Sequence, residues 1–176
     1  MKSTARPEFR KRLERRLGDA RRVAVVGIGD ELSPRDRPGM VAARAIMDQQ
    51  IPGVTVFLSG TVPESFTGPL RKFRPDHVIF LDAADTGAAP GTISIISPGR
   101  IATNLISTHV LPLSVVMRFV ARDTGAAVTL LGIQPCGSAR GITKNNATFH
   151  RHMEVLCDGL RDTIARNNRK SAPGLR

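Results

Sequence analysis

Tryptophan and tyrosine are absent from the 176 residues, and seven phenylalanines supply all the aromatic content. Nucleic-acid surfaces that stack bases on aromatics set among cations are therefore poorly provided for. Cysteine is nearly absent as well. Cys136 and Cys157 stand 21 positions apart, too far to form a metal-type pair, and are expected to be free thiols. No apolar run approaches the roughly 20 residues that span a bilayer. The basic N-terminal stretch lacks the apolar segment of a secretory signal, so a cytoplasmic protein is expected. Gly-Lys-Ser/Thr is missing, which excludes a nucleoside-triphosphate loop. Ser59, Ser65 and Ser107 lack a nucleophile-elbow context, which argues against serine-hydrolase chemistry.

Acids are scarce too: fifteen, against twenty-six Lys and Arg, for a net charge of +11. The excess is local. Residues 1–22 hold nine basic and three acidic side chains, and residues 161–176 hold five and one. The body between them, twelve against eleven, is almost neutral. Basic ends of this kind suit an acidic partner, a membrane surface or RNA, without an aromatic-studded patch to favour RNA.

What is present is an alternation of buried strands and amphipathic helices. Val23–Val26 is an uninterrupted apolar strand, suited to the centre of a parallel sheet. Gly27-Ile-Gly29 is expected to turn the chain, and Pro38 to open a helix that runs to about Gln50 with Val41, Ala45 and Ile46 on one side. Val54–Leu58 and His77–Leu81 are further strands. Residues 59–75, punctuated by glycine and proline, are expected to form loops with one helical turn near Glu64–Phe66. Thr92–Ile96 alternates as an edge or antiparallel strand does. Ser107-Thr108 offers caps for a helix from about His109 to Arg122, with Pro112 in its first turn. Ala127–Ile133 is the last strand. A final helix over about 145–167 carries Phe149, Met153, Leu156, Leu160 and Ile164 on one stripe.

These elements predict a three-layer α/β/α sandwich with a mostly parallel, twisted sheet of about five strands, phosphorylase/hydrolase-like in type. Residues 1–22 form a basic helical extension with Phe9, Leu13 and Leu17 on one face; 23–167 form the domain; 168–176 form a basic flexible tail. Strands one and three are expected side by side, opening a switch-point crevice at their carboxyl ends.

Three side chains stand out by position. Asp36 lies in the loop after strand one, Asp82 ends strand three, and His109 stands at a helix start. Two carboxylates and an imidazole suit a divalent metal with positions left open, nickel or zinc rather than calcium. Each has an ordinary alternative: a favourable charge at a helix start, an Asx turn, a first-turn histidine. A dinucleotide cradle fails at Leu32, where the third glycine is required.

The chain resembles the hydrogenase maturation endopeptidases, especially the branch that processes large subunits of the hydrogenase-3 and related energy-converting type. The resemblance is carried by Val25-Val-Gly-Ile-Gly-Asp-Glu-Leu32, by Thr61-Val-Pro-Glu-Ser-Phe-Thr-Gly68 with residues 74–85, by Pro90-Gly91, by Ser107-Thr-His-Val-Leu-Pro-Leu113, and by Leu131-Gly-Ile-Gln-Pro135. It covers about 23–135. It implies a peptidase that removes the C-terminal extension of a nickel-loaded [NiFe]-hydrogenase large-subunit precursor, with nickel delivered by the substrate as the recognition element. Zinc or cadmium would serve as surrogates. The family's metal-binding positions fall on Asp36, Asp82 and His109. Gly29, Asp30, Gly60, Thr61 and Glu64 are candidates in the loops that hold the substrate, and a monomer is expected.

The chain departs from the family where Asp30 replaces an Asn, where Arg35-Asp36 replaces an acidic pair, and where Leu58-Ser59-Gly60 replaces Asp-Gly-Gly. Two other readings therefore stay open: a non-catalytic assembly chaperone that grips a metal-loaded partner, and a nucleic-acid-binding protein acting through its basic ends.

Overall fold

The computed structural model describes residues 5–96, 112–137, 141–143 and 145–171. Its elements in chain order are α1 (Ala5–Leu17), β1 (Val23–Ile28), α2 (Pro38–Asp48), β2 (Val54–Gly60), a 3-10 turn (Pro63–Phe66), α3 (Thr67–Phe73), β3 (His77–Ala83), β4 (Ile93–Ile95), α4 (Leu113–Thr124), β5 (Ala127–Ile133) and α5 (Ala147–Ser171). The five strands pair in the order β2-β1-β3-β5-β4. All are parallel except β4, which runs antiparallel to β5 at one edge. Strands one and three are neighbours, and Ile93–Ile95 is the expected edge strand.

Strand alternation sorts the core into two layers. Val23, Val25, Ile79, Leu81, Leu131 and Ile133 face α1, α2 and α5. Ala24, Val26, Ile28, Val78, Phe80 and Leu130 face α3 and α4. Both faces of the sheet are covered, which is why β1 and β3 read as continuous apolar runs. On α2 the buried stripe is Ala42, Ala43 and Ile46, with Val41 and Ala45 half-buried at its margin.

Four differences from the sequence reading stand out. β1 continues through Gly27 and Ile28, because Gly27 is needed inside the strand: a Cβ there would lie 2.4 Å from the Ala43 Cβ. The glycine- and proline-rich 59–75 stretch holds a real helix, α3, with Pro69 in its first turn, where its missing N–H costs nothing. Pro112 is the non-helical cap of α4, at φ −55 and ψ 125, and not a first-turn residue. The expected caps Ser107 and Thr108, and His109 itself, lie outside the described residues. Lastly, α5 extends to Ser171, past the expected end at 167.

Helix α1 shares the domain's core. Leu13 is fully buried against α5, close enough to Gly159 that a Cβ on that glycine would sit 3.0 Å from Leu13 Cδ2. Arg10 bridges Glu14 at 2.9 Å and Asp162 at 2.6 Å above this contact. Lys11, Arg12, Arg15 and Arg16 of the same helix face solvent. Below, Asn167 donates from Nδ2 to the carbonyls of Gly18 and Ala20, both at 2.9 Å. The cysteines are free thiols, Cys136 half-buried and Cys157 buried. Burial pushes the Cys157 thiol up to about 11, which makes it a packing residue rather than a nucleophile.

Replacing Leu13 by Ala should cost about 2–5 kcal/mol in urea unfolding, the usual range for emptying a closed apolar site. His77 supplies a pH test. It is buried beside Thr129, 2.9 Å from Nε2 to Oγ1. Burial, with Arg16 nearby, lowers its pKa from 6.5 to about 4. The folded protein thus keeps His77 neutral while the unfolded chain takes up a proton below pH 6.5. Stability from this group is full above that pH and falls between pH 6.5 and 4, by up to about 3 kcal/mol. His77→Gln should flatten the fall of Tm in that window, measured against wild type.

Candidate functional site

The crevice forms where two strands part. β1 pairs with β3 as far as Gly27 opposite Leu81, whereas β3 and β5 stay paired to Ala83 opposite Ile133. Ile28 is instead registered with Gly60 of β2. The parting therefore falls at Asp82, and the start of α2 fills it. A Cβ on Gly39 would lie 2.2 Å from the Leu81 carbonyl oxygen and 2.3 Å from that of Ile28. Only a residue without a side chain lets a helix backbone settle between two strand ends at this distance.

Asp82 projects from β3 at this parting. It is 1% exposed, and its Oδ1 accepts the N–H of Ala83 at 2.8 Å. Asp36 lies three residues before Gly39, within about 11 Å of chain. Its Oδ2 accepts the N–H of Asp30 at 2.8 Å. A backbone amide thus fixes one oxygen of each carboxylate, the kind of support that orients metal ligands. The N-terminus of α2 directs partial positive charge toward the same place, which favours anionic groups there.

The loop carrying Asp36 is clamped throughout. Gly29, at φ 129, donates its N–H to the Gly60 carbonyl at 2.9 Å, and a Cβ on it would strike the Asp36 carbonyl oxygen at 2.0 Å. Asp30 Oδ1 accepts the N–H of Leu32 at 2.9 Å, closing an Asx turn. Glu31 pairs with Arg44 of α2, 2.8 Å from Nε to Oε1. Arg35 is exposed and makes no ion pair with Asp36; both residues are among those described.

Gly29, Asp30, Asp36 and Gly60 are therefore brought together, and Asp82 lies at the same edge of the sheet. Thr61 and Glu64 are exposed on the rim, in and after the turn that leaves β2. His109 lies outside the described residues. Among the described residues no group of three or more His, Cys, Asp or Glu is set to hold a metal ion.

Four contributors have roles that the sequence reading did not assign. Gly39 was hidden inside a helix, although a glycine directly after Pro38 is a costly helix residue and signals close packing. Ser59, buried, donates from Oγ to the Gly27 carbonyl at 2.8 Å. Gln134, following β5, accepts the N–H and O–H of Thr86 at Oε1 (2.7 and 3.0 Å) and donates to Asp85 Oδ1 at 3.2 Å, holding the chain just past Asp82. Gly141 lets its loop pack on Pro34, where a Cβ would meet the Pro34 carbonyl oxygen at 2.3 Å. The last three carry no local sequence signal.

This arrangement defines an α/β protein with a carboxylate-bearing site at the switch point of a mainly parallel sheet. The family model HycI, hydrogenase maturation protease, matches residues 42–143, more than half of the chain. Over 128 residues the chain is 30% identical to a Methanocaldococcus jannaschii protein provisionally named a hydrogenase maturation protease, covering 68% of this chain and 76% of that one. It is 31% identical over 109 residues to the hydrogenase 3 maturation protease of Escherichia coli K12, covering 61% and 69%. Among solved structures, the [NiFe] hydrogenase maturation protease HycI of Thermococcus kodakarensis matches with a TM-score of 0.70 at 28% identity, covering 87% of this chain and 98% of that one. A hydrogenase 3 maturation protease matches at 0.67 and 26%, covering 83% and 93%. The chain belongs to the hydrogenase maturation protease family and is accordingly a hydrolase of the peptidase class.

The seat of α2 gives a direct test. Gly39→Ala should destabilise the protein by about 1–3 kcal/mol or more, since both atoms in the way are strand backbone. Gly68→Ala is the control: nothing lies within 4 Å of its added Cβ, and φ there is not positive. In α3 it should be neutral or gain up to about 1 kcal/mol. Chemical denaturation of the two variants checks both.

Proposed function

We propose that the protein is an endopeptidase that removes the C-terminal extension of a nickel-loaded [NiFe]-hydrogenase large-subunit precursor, recognising the metal that the substrate carries. The observation that carries this reading is the seating of Gly39 between Ile28 and Leu81, which brings the Asp36 loop to the strand end bearing Asp82. It is supported by membership in a family named for maturing hydrogenases.

In this proposal Asp36 and Asp82 offer oxygens to the substrate's metal from the two sides of the strand parting, and His109 supplies a nitrogen. Carboxylate and imidazole together suit nickel, with zinc or cadmium as surrogates. The backbone bonds from Asp30 and Ala83 hold the two carboxylates in place, so little order has to be gained when the substrate arrives. A cation held there provides orientation of the scissile segment, polarisation of its carbonyl and activation of water. Gly60, Thr61 and Glu64 border the path by which the extension would enter. We place the reaction in the cytoplasm, in keeping with two free thiols and with no described helix long and apolar enough to cross a membrane.

The test is incubation with nickel-loaded and nickel-free precursor, followed by mass measurement of the large subunit. Only the loaded form should be shortened at its C-terminus. Asp36→Asn keeps an oxygen for the Asp30 N–H while losing the charge, so it should fold as wild type yet cut at least about 10–100-fold more slowly, the loss typical of a disturbed metal site. Asp82→Asn and His109→Ala should match it. Unchanged cleavage in all three variants would sink the assignment, and binding of loaded precursor without cleavage by the wild type would favour an assembly chaperone.

A further inference from the structure

The loop that positions Asp36 also holds an apolar side chain out in water. Leu32 is 91% exposed, the highest value among the exposed large hydrophobics of the described residues. A single exposed leucine is ordinary on a surface, but this one is held rather than tolerated. Its N–H is bound by Asp30 Oδ1, and Asp30 is bound in turn by Asp36 Oδ2. Ser33 N–H bonds the Asp30 carbonyl at 3.1 Å, and the N–H groups of Asp36 and Arg37 bond the Ser33 carbonyl at 3.1 and 3.0 Å. Gly141 packs on Pro34 from the far side. A loop with this many internal bonds cannot fold Leu32 back onto the domain without losing them.

A second apolar side chain stands on the adjoining loop. Val62 is 46% exposed, two residues beyond Gly60, whose carbonyl is bonded to the Gly29 N–H. The two loops leave the sheet side by side, and each presents an aliphatic group within three residues of that bond. Both loops leave the carboxyl ends of β1 and β2, the end of the sheet where the Asp36 loop lies. Apolar area on a preorganised rim contributes binding energy with little ordering cost.

We propose that Leu32 and Val62 form the apolar clamp for the protein being cut, gripping an aliphatic or aromatic side chain of the precursor in the segment next to the scissile bond. The inference rests on the peptidase reading above and deepens it. Its occupant is the substrate protein because the clamp is continuous with the site through Asp30, Asp36 and Gly60. The clamp grips ground state and transition state alike, so its loss should raise KM and leave the chemical step alone.

The experiment uses the full chain with nickel-loaded precursor. Leu32→Ser with Val62→Ser should raise KM for the precursor about 10–100-fold, as expected for losing two apolar side chains from an interface, with kcat changed less than about twofold. Leu32→Met should restore most of the KM loss, and Phe119→Ser, removing an exposed ring on α4, should leave KM as in wild type. Tm should be unchanged in Leu32→Ser, since that side chain is already in solvent. Precursor binding is measured in parallel by pull-down of the loaded form. Equal KM and equal capture for the double variant and wild type overturn the clamp while leaving the peptidase reading intact. A wild type that captures but does not cut, with capture lost in the double variant, sustains the clamp and overturns the peptidase. A wild type that neither cuts nor captures overturns both.

Discussion

The contact between Gly39 and the carbonyl oxygens of Ile28 and Leu81 is the constraint on which the rest of the site depends. A helix that follows a parallel strand ordinarily packs through side chains, at a distance set by their bulk. Here the first turn of α2 has no side chain at the point of contact, so its backbone descends between two strand ends. That descent fixes where the preceding loop must pass. It also makes Gly27 necessary one layer down, where Ala43 approaches the strand. One glycine in the helix and one in the strand thus convert a generic strand–loop–helix unit into a seat for the Asp36 loop at the sheet end that bears Asp82.

The loop above that seat divides its acids by task. Asp30 uses its carboxylate on the Leu32 N–H, a role that needs only an acceptor oxygen, and Asn in the same place would supply one. The change from the family's Asn to Asp30 is therefore mild. Glu31 is committed to Arg44. Arg35 points to solvent and leaves the Asp36 carboxylate to the Asp30 amide, so the basic residue that breaks the family's acidic pair does not neutralise its neighbour. Ser59, in place of a glycine, ties β2 to the Gly27 carbonyl and works as a structural residue.

How much of this could be read from the residues follows from the range of each interaction. β1 and β3 were legible because burial on both faces leaves Val23–Val26 and Val78–Leu81 wholly apolar, and β5 matched its expected bounds, Ala127–Ile133. The neighbouring of β1 and β3 followed from the handedness of the crossovers. The α3 helix was not legible, because Gly68 and Pro69 read as breakers, and only position in the first turn makes Pro69 harmless. Of the site, the loop acids and Asp82 were visible as polar residues at strand ends. The hub role of Gln134 was not, since it depends on Asp85 and Thr86 lying across the sheet about fifty positions earlier in sequence.

The opposite edge of the sheet shows what a purely structural acid looks like in this fold. At the amino ends of the strands Asp76 Oδ2 accepts the N–H groups of both Arg21 and Arg22 at 2.8 Å, and Asn167 spans the carbonyls of Gly18 and Ala20. These bonds stitch α1, α5 and the start of β1 together, with His77 and Thr129 buried just inside. Asp76 is exposed and takes two amides at one oxygen, an arrangement complete in itself. Asp36 Oδ2 and Asp82 Oδ1 are each oriented by a backbone amide, at the edge where the strands part and a helix N-terminus arrives. The fold thus keeps its stitching at one end of the sheet and its oriented carboxylates at the other. Leu13, buried between α1 and α5, thus contributes to stability far from the carboxylates at the strand parting.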